Sequence, residues 1–306
     1  MSVLVFGSLN MDLVVLTPRS PLAGETLIGH TFFTTPGGKG ANQAVAAARL
    51  GASTAMVGRV GADLFGSTLL QQLSITGVKV EGVITDSEQL SGVALITLDD
   101  MAQNRIIVVP GANGAIGSED LTRLSSLLTE STVLLLQLEI PLEVVTAAAQ
   151  LAVRQGLKVI LDPAPALPLP PELYQATTIL TPNETEAAVL VGFPLSSDEA
   201  IIAAAKELHQ RGAGTVIIKL GSRGIYWTDG LKREFRSALP VRAIDTVGAG
   251  DAFNGALAVA LAEGKDLNEA LNWGLVAGSL ATTKTGAQAA MPEREALYLA
   301  LTSLKN

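Results

Sequence analysis

The sequence predicts an α/β fold: a mostly parallel central sheet with helices on both faces, a three-layer α/β/α sandwich that carries a small antiparallel β lid. Three observations predict it. Short continuous apolar runs recur at residues 3–6, 54–57, 133–138, 159–161, 178–180 and 216–220, as parallel strands buried on both faces require. Between them, residues 41–50, 141–155 and 198–211 repeat with helical period and are closed by Gly51, Gly156 and Gly212, the residue that most readily ends a helix. Ser196 and Glu199 stand at capping-box spacing before the third helix. Residues 25–35 and 91–109 break the rhythm by alternating apolar with polar positions, and Asp99 and Asp100 mark a hairpin turn. They read as a lid made of two inserted segments, about 13–36 and 91–110, or as an antiparallel extension of the main sheet. Five prolines between Pro163 and Pro171 make a rigid loop. From Asp251 onward the chain reads as helical, ending with a helix over 293–304. Residues 1–306 are expected to form one domain.

Composition excludes several classes of function. With 21 Lys+Arg against 29 Asp+Glu the net charge is −8, and no basic cluster is available to displace counterions from a nucleic acid or to sit on an anionic membrane. The chain is 48% apolar and 16% charged, which excludes disorder and predicts a large core. No uncharged stretch approaches the roughly 20 apolar residues of a membrane span, and residues 1–12 lack a signal peptide's basic head. A cytoplasmic protein is expected. With no cysteine and only His30 and His209, thiolate chemistry and a Cys/His zinc centre are ruled out. Chemistry must come from Asp, Glu, Asn, Lys, backbone dipoles and added ions.

Pro36-Gly37-Gly38-Lys39-Gly40-Ala41-Asn42 runs directly into an Ala-rich helix. Such glycines let a ligand approach free amides, or make a flexible turn. It is not a Walker loop, because Gly40 rather than Ser or Thr follows Lys39. Asp245-Thr246-Val247-Gly248-Ala249-Gly250-Asp251 enters another helix. Small residues there expose amides able to hold developing charge on a phosphoryl group. Asp251 is then either an N-cap or a general base at the rim of that anion hole. Asp245 would repel a bound phosphate unless a cation neutralised it. Asn10, Asp12, Glu139, Asn183 and Glu186 follow predicted strands, where open α/β sheets bind ligands, and such side chains suit a polyol.

Together with Gly7-Ser8-Leu9-Asn10-Met11-Asp12, Asn183-Glu184-Thr185-Glu186 and Lys219-Leu220-Gly221-Ser222-Arg223-Gly224, these motifs make the whole chain resemble the ribokinase (PfkB-type) family of sugar and nucleoside kinases. The resemblance implies a ribokinase-like fold and transfer of phosphate from ATP to a sugar hydroxyl, with D-ribose at its 5-hydroxyl as the first candidate. Fructose, deoxyribose and a nucleoside are the alternatives, and a non-catalytic sugar- or nucleotide-binding regulator is the reading from another class. It implies Asp251 as the base, with Gly248, Ala249 and Gly250 as the anion hole. Asn10, Met11, Asp12, Gly38, Lys39, Gly40, Ala41, Asn42 and Glu139 would hold the sugar. Asn183, Lys219, Leu220, Gly221, Ser222, Arg223, Gly224 and Gly250 would meet the nucleotide, with Leu275 beside the adenine. Mg²⁺ would be positioned by Asn183 and Glu186 through water. K⁺ would be held by Asp245 and the carbonyls of Val247, Ala281, Lys284 and Gly286, with Ala290 at the last position, where Ala supplies no side-chain oxygen. The lid would join two chains as a homodimer.

Overall fold

The computed structural model describes residues 2–101 and 103–303; Met1 and Leu304, which the sequence reading included, lie outside them. The strands are β1 Ser2–Phe6, β2 Asn10–Thr17, β3 Thr31–Gly37, β4 Ser53–Gly61, β5 Lys79–Asp86, β6 Gly92–Asp99, β7 Asn104–Val109, β8 Val133–Leu136, β9 Lys158–Leu161, β10 Ile179–Leu180, β11 Thr215–Lys219, β12 Ile225–Thr228 and β13 Arg233–Arg236. The helices are α1 Lys39–Arg49, α2 Leu64–Ile75, α3 Ser118–Leu128, α4 Leu142–Arg154, α5 Pro171–Gln175, α6 Glu184–Val191, α7 Asp198–Gln210, α8 Ala249–Ala262, α9 Leu267–Ala281 and α10 Arg294–Ser303.

The nine-stranded sheet runs β13-β12-β11-β10-β9-β8-β1-β4-β5. It is parallel from β5 to β11 and closes with an antiparallel edge, β11–β12–β13. The sequence reading left β12 and β13 out. Period-two geometry in β1 sends Val3 and Val5 into one core and Leu4 and Phe6 into the other. The first core packs against α1, α8 and α9, the second against α3, α4 and α7. At Gly255 on α8 a Cβ would come within 2.5 Å of the Ala46 Cβ on α1. The missing side chain lets these two helices touch, and that contact sets the distance across the site.

The inserted segments pair with each other, not with the main sheet. Their four-stranded sheet runs β3-β2-β6-β7, with β2–β3 and β6–β7 antiparallel and β2–β6 parallel where the segments meet. The reading of an extension of the main sheet is therefore corrected. So is the strand over 25–30: β3 starts at Thr31, and β2 supplies the pairing partner. The capping residue of α7 is Ser197, which accepts from the Ala200 amide at 3.3 Å, one position beyond Ser196, because Ser197 is the last residue with extended backbone.

Candidate active site

Parallel strands bring their C-terminal ends to one edge of the sheet, and the order of strands reverses at β1, with β4 and β5 on one side and β8 to β11 on the other. Ligands of open α/β sheets bind at such a reversal. Ser8 and Asn10 follow β1 there, Gln137 and Glu139 follow β8, Asp162 follows β9, Asn183 follows β10, and Lys219 ends β11. A cleft of about 590 Å³ opens among Lys39, Asp162, Glu186, Lys219, Gly250 and Asp251, and extends to Leu239, Phe253 and Leu275. It is polar where the strand ends converge and apolar beyond the start of α8.

Asp251 is not an N-cap. The cap of α8 is Gly248, with φ 77°, and Asp251 sits inside the first turn. Its carboxylate is buried and held at both oxygens, Oδ2 by the Asn42 Nδ2 at 3.0 Å and Oδ1 by the Gln43 Nε2 at 3.0 Å. Burial raises its pKa, Lys39 and these two amides oppose the rise, and Asp162 adds to it. First-turn amides of a helix have no intrahelical acceptor. That of Ala249 leans on the Thr246 carbonyl at 3.3 Å.

Lys39 begins α1. Burial works against its charge, but Asp251, Asp162, Glu139 and Glu186 outweigh that and hold it protonated well above the ordinary lysine range. Glu139 is fixed at Oε2, which accepts from Ser8 Oγ at 2.5 Å and the Lys39 amide at 3.0 Å. Asp12 lies close to both acids: burial first, then Glu139 and Asp251, raise it to about 7. Gly37 makes room for it, since a Cβ there would fall 2.4 Å from the Asp12 Oδ2. Asn10 Oδ1 accepts from the Asn113 Nδ2 at 2.8 Å, while Asn113 also bonds the Leu9 amide and carbonyl. Asn10 therefore turns its NH₂ away from Asn113, as a donor.

Asn183 and Glu186 cap α6 reciprocally: the Asn183 amide and Nδ2 donate to Glu186 at 2.7 and 2.9 Å, and the Glu186 amide donates back at 2.8 Å. Burial and Asp162 raise the Glu186 pKa, with Lys219 opposing. Asp245 ties two loops together, accepting from the Val247 amide at 3.0 Å and the Gly286 amide at 2.8 Å.

Not every residue singled out in the sequence faces the cleft. Gly40 and Ala41 are turned against the β1 exit: a Cβ on Gly40 would sit 2.6 Å from the Ser8 amide, and the Ala41 amide donates to the Ser8 carbonyl at 2.9 Å. Met11 is core. Leu220 is core as well, whereas Gly221, Ser222 and Gly224 line the cleft. Arg223 turns outward to Glu184 and Asp198. Val247, Ala281, Lys284, Gly286 and Ala290 lie outside the lining, beyond Thr246 and Thr282.

Asp162, Gln43, Gln137 and Asn113 were missed, and Ser8 stood in the opening motif with no role given to it. Asp162 pairs with the Lys219 Nζ at 2.9 Å. Its place after a predicted strand, before Pro163, was a usable signal; Gln43, inside an Ala-rich helical pattern, gave none.

A buried carboxylate at the start of a glycine-led helix, with unspent amides beside it and a second wall of acids and amides, defines a phosphotransferase site for a small polyhydroxyl acceptor. The description "pfkB family carbohydrate kinase" matches residues 1–294, and the chain belongs to that family. It is an ATP-dependent sugar kinase. It is 42% identical to the ribokinase of Bacillus subtilis over 96% of this chain and 97% of that one, and 40% identical to the ribokinase of Haemophilus influenzae over 95% of each. The structure of Arabidopsis thaliana ribokinase complexed with ribose and ATP superposes with a TM-score of 0.90, at 36% identity over 98% of each chain.

Proposed function

We propose that the protein phosphorylates D-ribose at its 5-hydroxyl, giving D-ribose 5-phosphate and ADP. The observation that carries the reading is the position of Asp251, a carboxylate gripped by two amides at the junction of the cleft and the Asn10–Asp12–Glu139 wall. The sugar lies on that wall, with Asn10 donating and Asp12 and Glu139 accepting from hydroxyls. The nucleotide fills the cleft, its phosphates over Gly248–Gly250 and its base toward Leu275. Asp251 takes the proton of the 5-hydroxyl as the new O–P bond forms and the bond between γ-phosphorus and the β–γ bridging oxygen breaks. The amides of Gly248, Ala249 and Gly250, with the α8 dipole, offset the charge that develops on the transferring group.

Among the described residues no group of three or more His, Cys, Asp or Glu side chains is arranged to hold a metal ion. A cation that also takes backbone carbonyls, water or nucleotide oxygens does not need such a group. Asp245 with the carbonyls of Val247, Ala281, Lys284 and Gly286, near Ala290, suits K⁺, for which neutral carbonyl oxygens are good ligands. Asn183 and Glu186, locked together, would hold water around a Mg²⁺ that arrives with ATP and neutralises its phosphates. No helix among the described residues is long and apolar enough to cross a membrane, and we place the enzyme in the cytoplasm. By strand register Phe32, Leu95 and Ile107 stand on one face of the lid and are exposed, with Ile107 on the edge strand β7, which fits a homodimer formed lid to lid. Ile107→Lys should then shift the sedimenting species to a monomer; an unchanged dimer would reject the lid as its interface.

Coupled ADP release with Mg-ATP and a panel of D-ribose, 2-deoxyribose, D-fructose, fructose 6-phosphate and adenosine, each in K⁺ or Na⁺, tests the reading. Turnover greatest on D-ribose and lowered without K⁺ is expected. Preference for another acceptor would overturn the assignment of Asn10, Asp12 and Glu139. Equal rates in both salts would remove the cation site.

A further inference from the structure

Gln43 and Gln137 are completely buried beside the reacting end of the cleft, and neither touches sugar or nucleotide in the reaction as described. Resting on the reading of Asp251 as the base, the geometry points to Gln43 as its positioning residue, a single amide group shared between Asp251 and Asp162 and held from behind by Gln137. The Gln43 Nε2 lies 3.0 Å from Asp251 Oδ1 and 3.0 Å from Asp162 Oδ2. An amide end that faces two carboxylates is the NH₂ end, with one hydrogen for each. The other end is then the oxygen, and it accepts from Gln137 Nε2 at 2.7 Å. Gln137 is left with an oxygen that no donor meets, facing Gly7, where a Cβ would fall 2.0 Å from it. Every orientation in the series is forced by the one before. Asp162 takes the Lys219 Nζ on its other oxygen at 2.9 Å, so the series reaches from the base to the lysine beside Gly250.

This arrangement fixes the plane of the Asp251 carboxylate. Asn42 and Gln43, consecutive residues on the first turns of α1, grip its two oxygens, and the close α1–α8 contact at Gly255 keeps them in reach. Without the Gln43 amide, the hydrogen bonds that join Asp251 to Asp162 are lost. The repulsion between these two carboxylates turns the base away from the hydroxyl and favours its protonated form.

The test is kcat, both KM values and the pH dependence of kcat for Gln43→Met, Gln137→Met and Asp251→Asn beside the wild type, with the sugar turned over in the panel above. Lys39 on α1, Asp12 on β2 and Asp162 after β9 face Asp251, with Lys219 at the end of β11 on Asp162 and Glu139 and Glu186 across Lys39, and all stay unchanged in the glutamine variants. Gln43→Met should lower kcat by about 10²-fold, the cost of a misplaced reacting group, while both KM values move by less than about threefold. Its acid limb should move to higher pH, because a hydrogen bond that favours the ionised base is gone. Gln137→Met should move both quantities the same way by less. A Gln43→Met enzyme with wild-type kcat, a loss confined to KM, or a lower kcat with an unmoved acid limb would each overturn the proposal. If Gln43→Met does not fold, Gln137→Met decides, and a wild-type kcat and acid limb there overturn it. Asp251→Asn separates the two readings: if it keeps its turnover, the base assignment itself falls, whereas an inactive Asp251→Asn beside a normal Gln43→Met removes only the role of Gln43.

Discussion

Helices α1 and α8 both begin at the site from a glycine with positive φ, Gly38 at 88° and Gly248 at 77°, and neither glycine is replaced by a capping side chain. Their surroundings differ. A Cβ on Gly38 would lie 2.7 Å from the Asn10 amide and 3.0 Å from the Ser8 carbonyl, wedged against the β1 exit, whereas at Gly248 the nearest atom is the Ala287 Cα at 3.1 Å. The first turn of α1 carries no acid and presents Lys39, with Asn42 and Gln43 just beyond; that of α8 carries Asp251. One helix supplies donors to a carboxylate, the other supplies the carboxylate and leaves its amides for a ligand. A bare helix start is thus a binding device only when the opposite wall supplies the complementary group, and here α1 and α8 complete each other.

The strongest way to break that pairing is to remove the acceptor. Asp251→Asn should lower turnover by roughly 10³-fold, within the range for loss of a general base, and coupled ADP release measures it. Next come the two glycines. Gly38→Ala meets both an unfavourable φ and backbone atoms, and should cost about 2–4 kcal/mol in urea unfolding; Gly248→Ala meets chiefly the unfavourable φ and should cost about 1–2 kcal/mol. The reverse order would show that the wedge at the β1 exit is not what distinguishes them.

Asp12 gives a smaller and pH-dependent effect. Its pKa rises from the ordinary 3.8 to about 7 on folding, so between those values the folded protein keeps a proton that the unfolded chain has released. Stability from this group therefore falls as pH rises through that window, and the whole penalty stands above about 7. Asp12→Asn removes it, so the variant should melt above the wild type at pH 8, with the gap closing toward pH 4. The smallest effect is expected at Arg223, whose ion pairs with Glu184 and Asp198 are exposed. Arg223→Ala should change stability by less than about 1 kcal/mol and leave the KM for ATP unchanged; a marked rise in that KM would put the side chain back on the nucleotide.

Much of this site could be read from the chain because its parts are local: a glycine-led helix start, an acid in the first turn, a polar residue after a buried strand. Glu139 and Asn183 were found that way. Gln43 was not, since a glutamine in an Ala-rich helix carries no mark of what faces it, and Asp162 gains meaning only beside Lys219, 57 positions away. The lid was legible as alternation in 91–109, while the start of β2 at Asn10 was not, because its pairing with β6 joins residues remote in sequence. The direction of Arg223 was hidden for the opposite reason: the motif fixes the backbone of its loop, but a long exposed side chain follows the nearest charges, here Glu184 and Asp198.

By itself, then, the sequence determined the alternation of strand and helix, the two helix starts, the acid at 251 and the family to which the chain belongs, since each depends on neighbours within a few residues. Only the tertiary structure decided that Asn42 and Gln43 hold Asp251, that Asp162 stands between Gln43 and Lys219, and that Gly40, Ala41 and Leu220 pack against their neighbours. The grip of Asn42 and Gln43 on Asp251 depends on how closely α1 approaches α8, where the bare Gly255 meets Ala46, and the others on strand ends and loops that the sheet brings together; all are contacts between residues far apart in the chain.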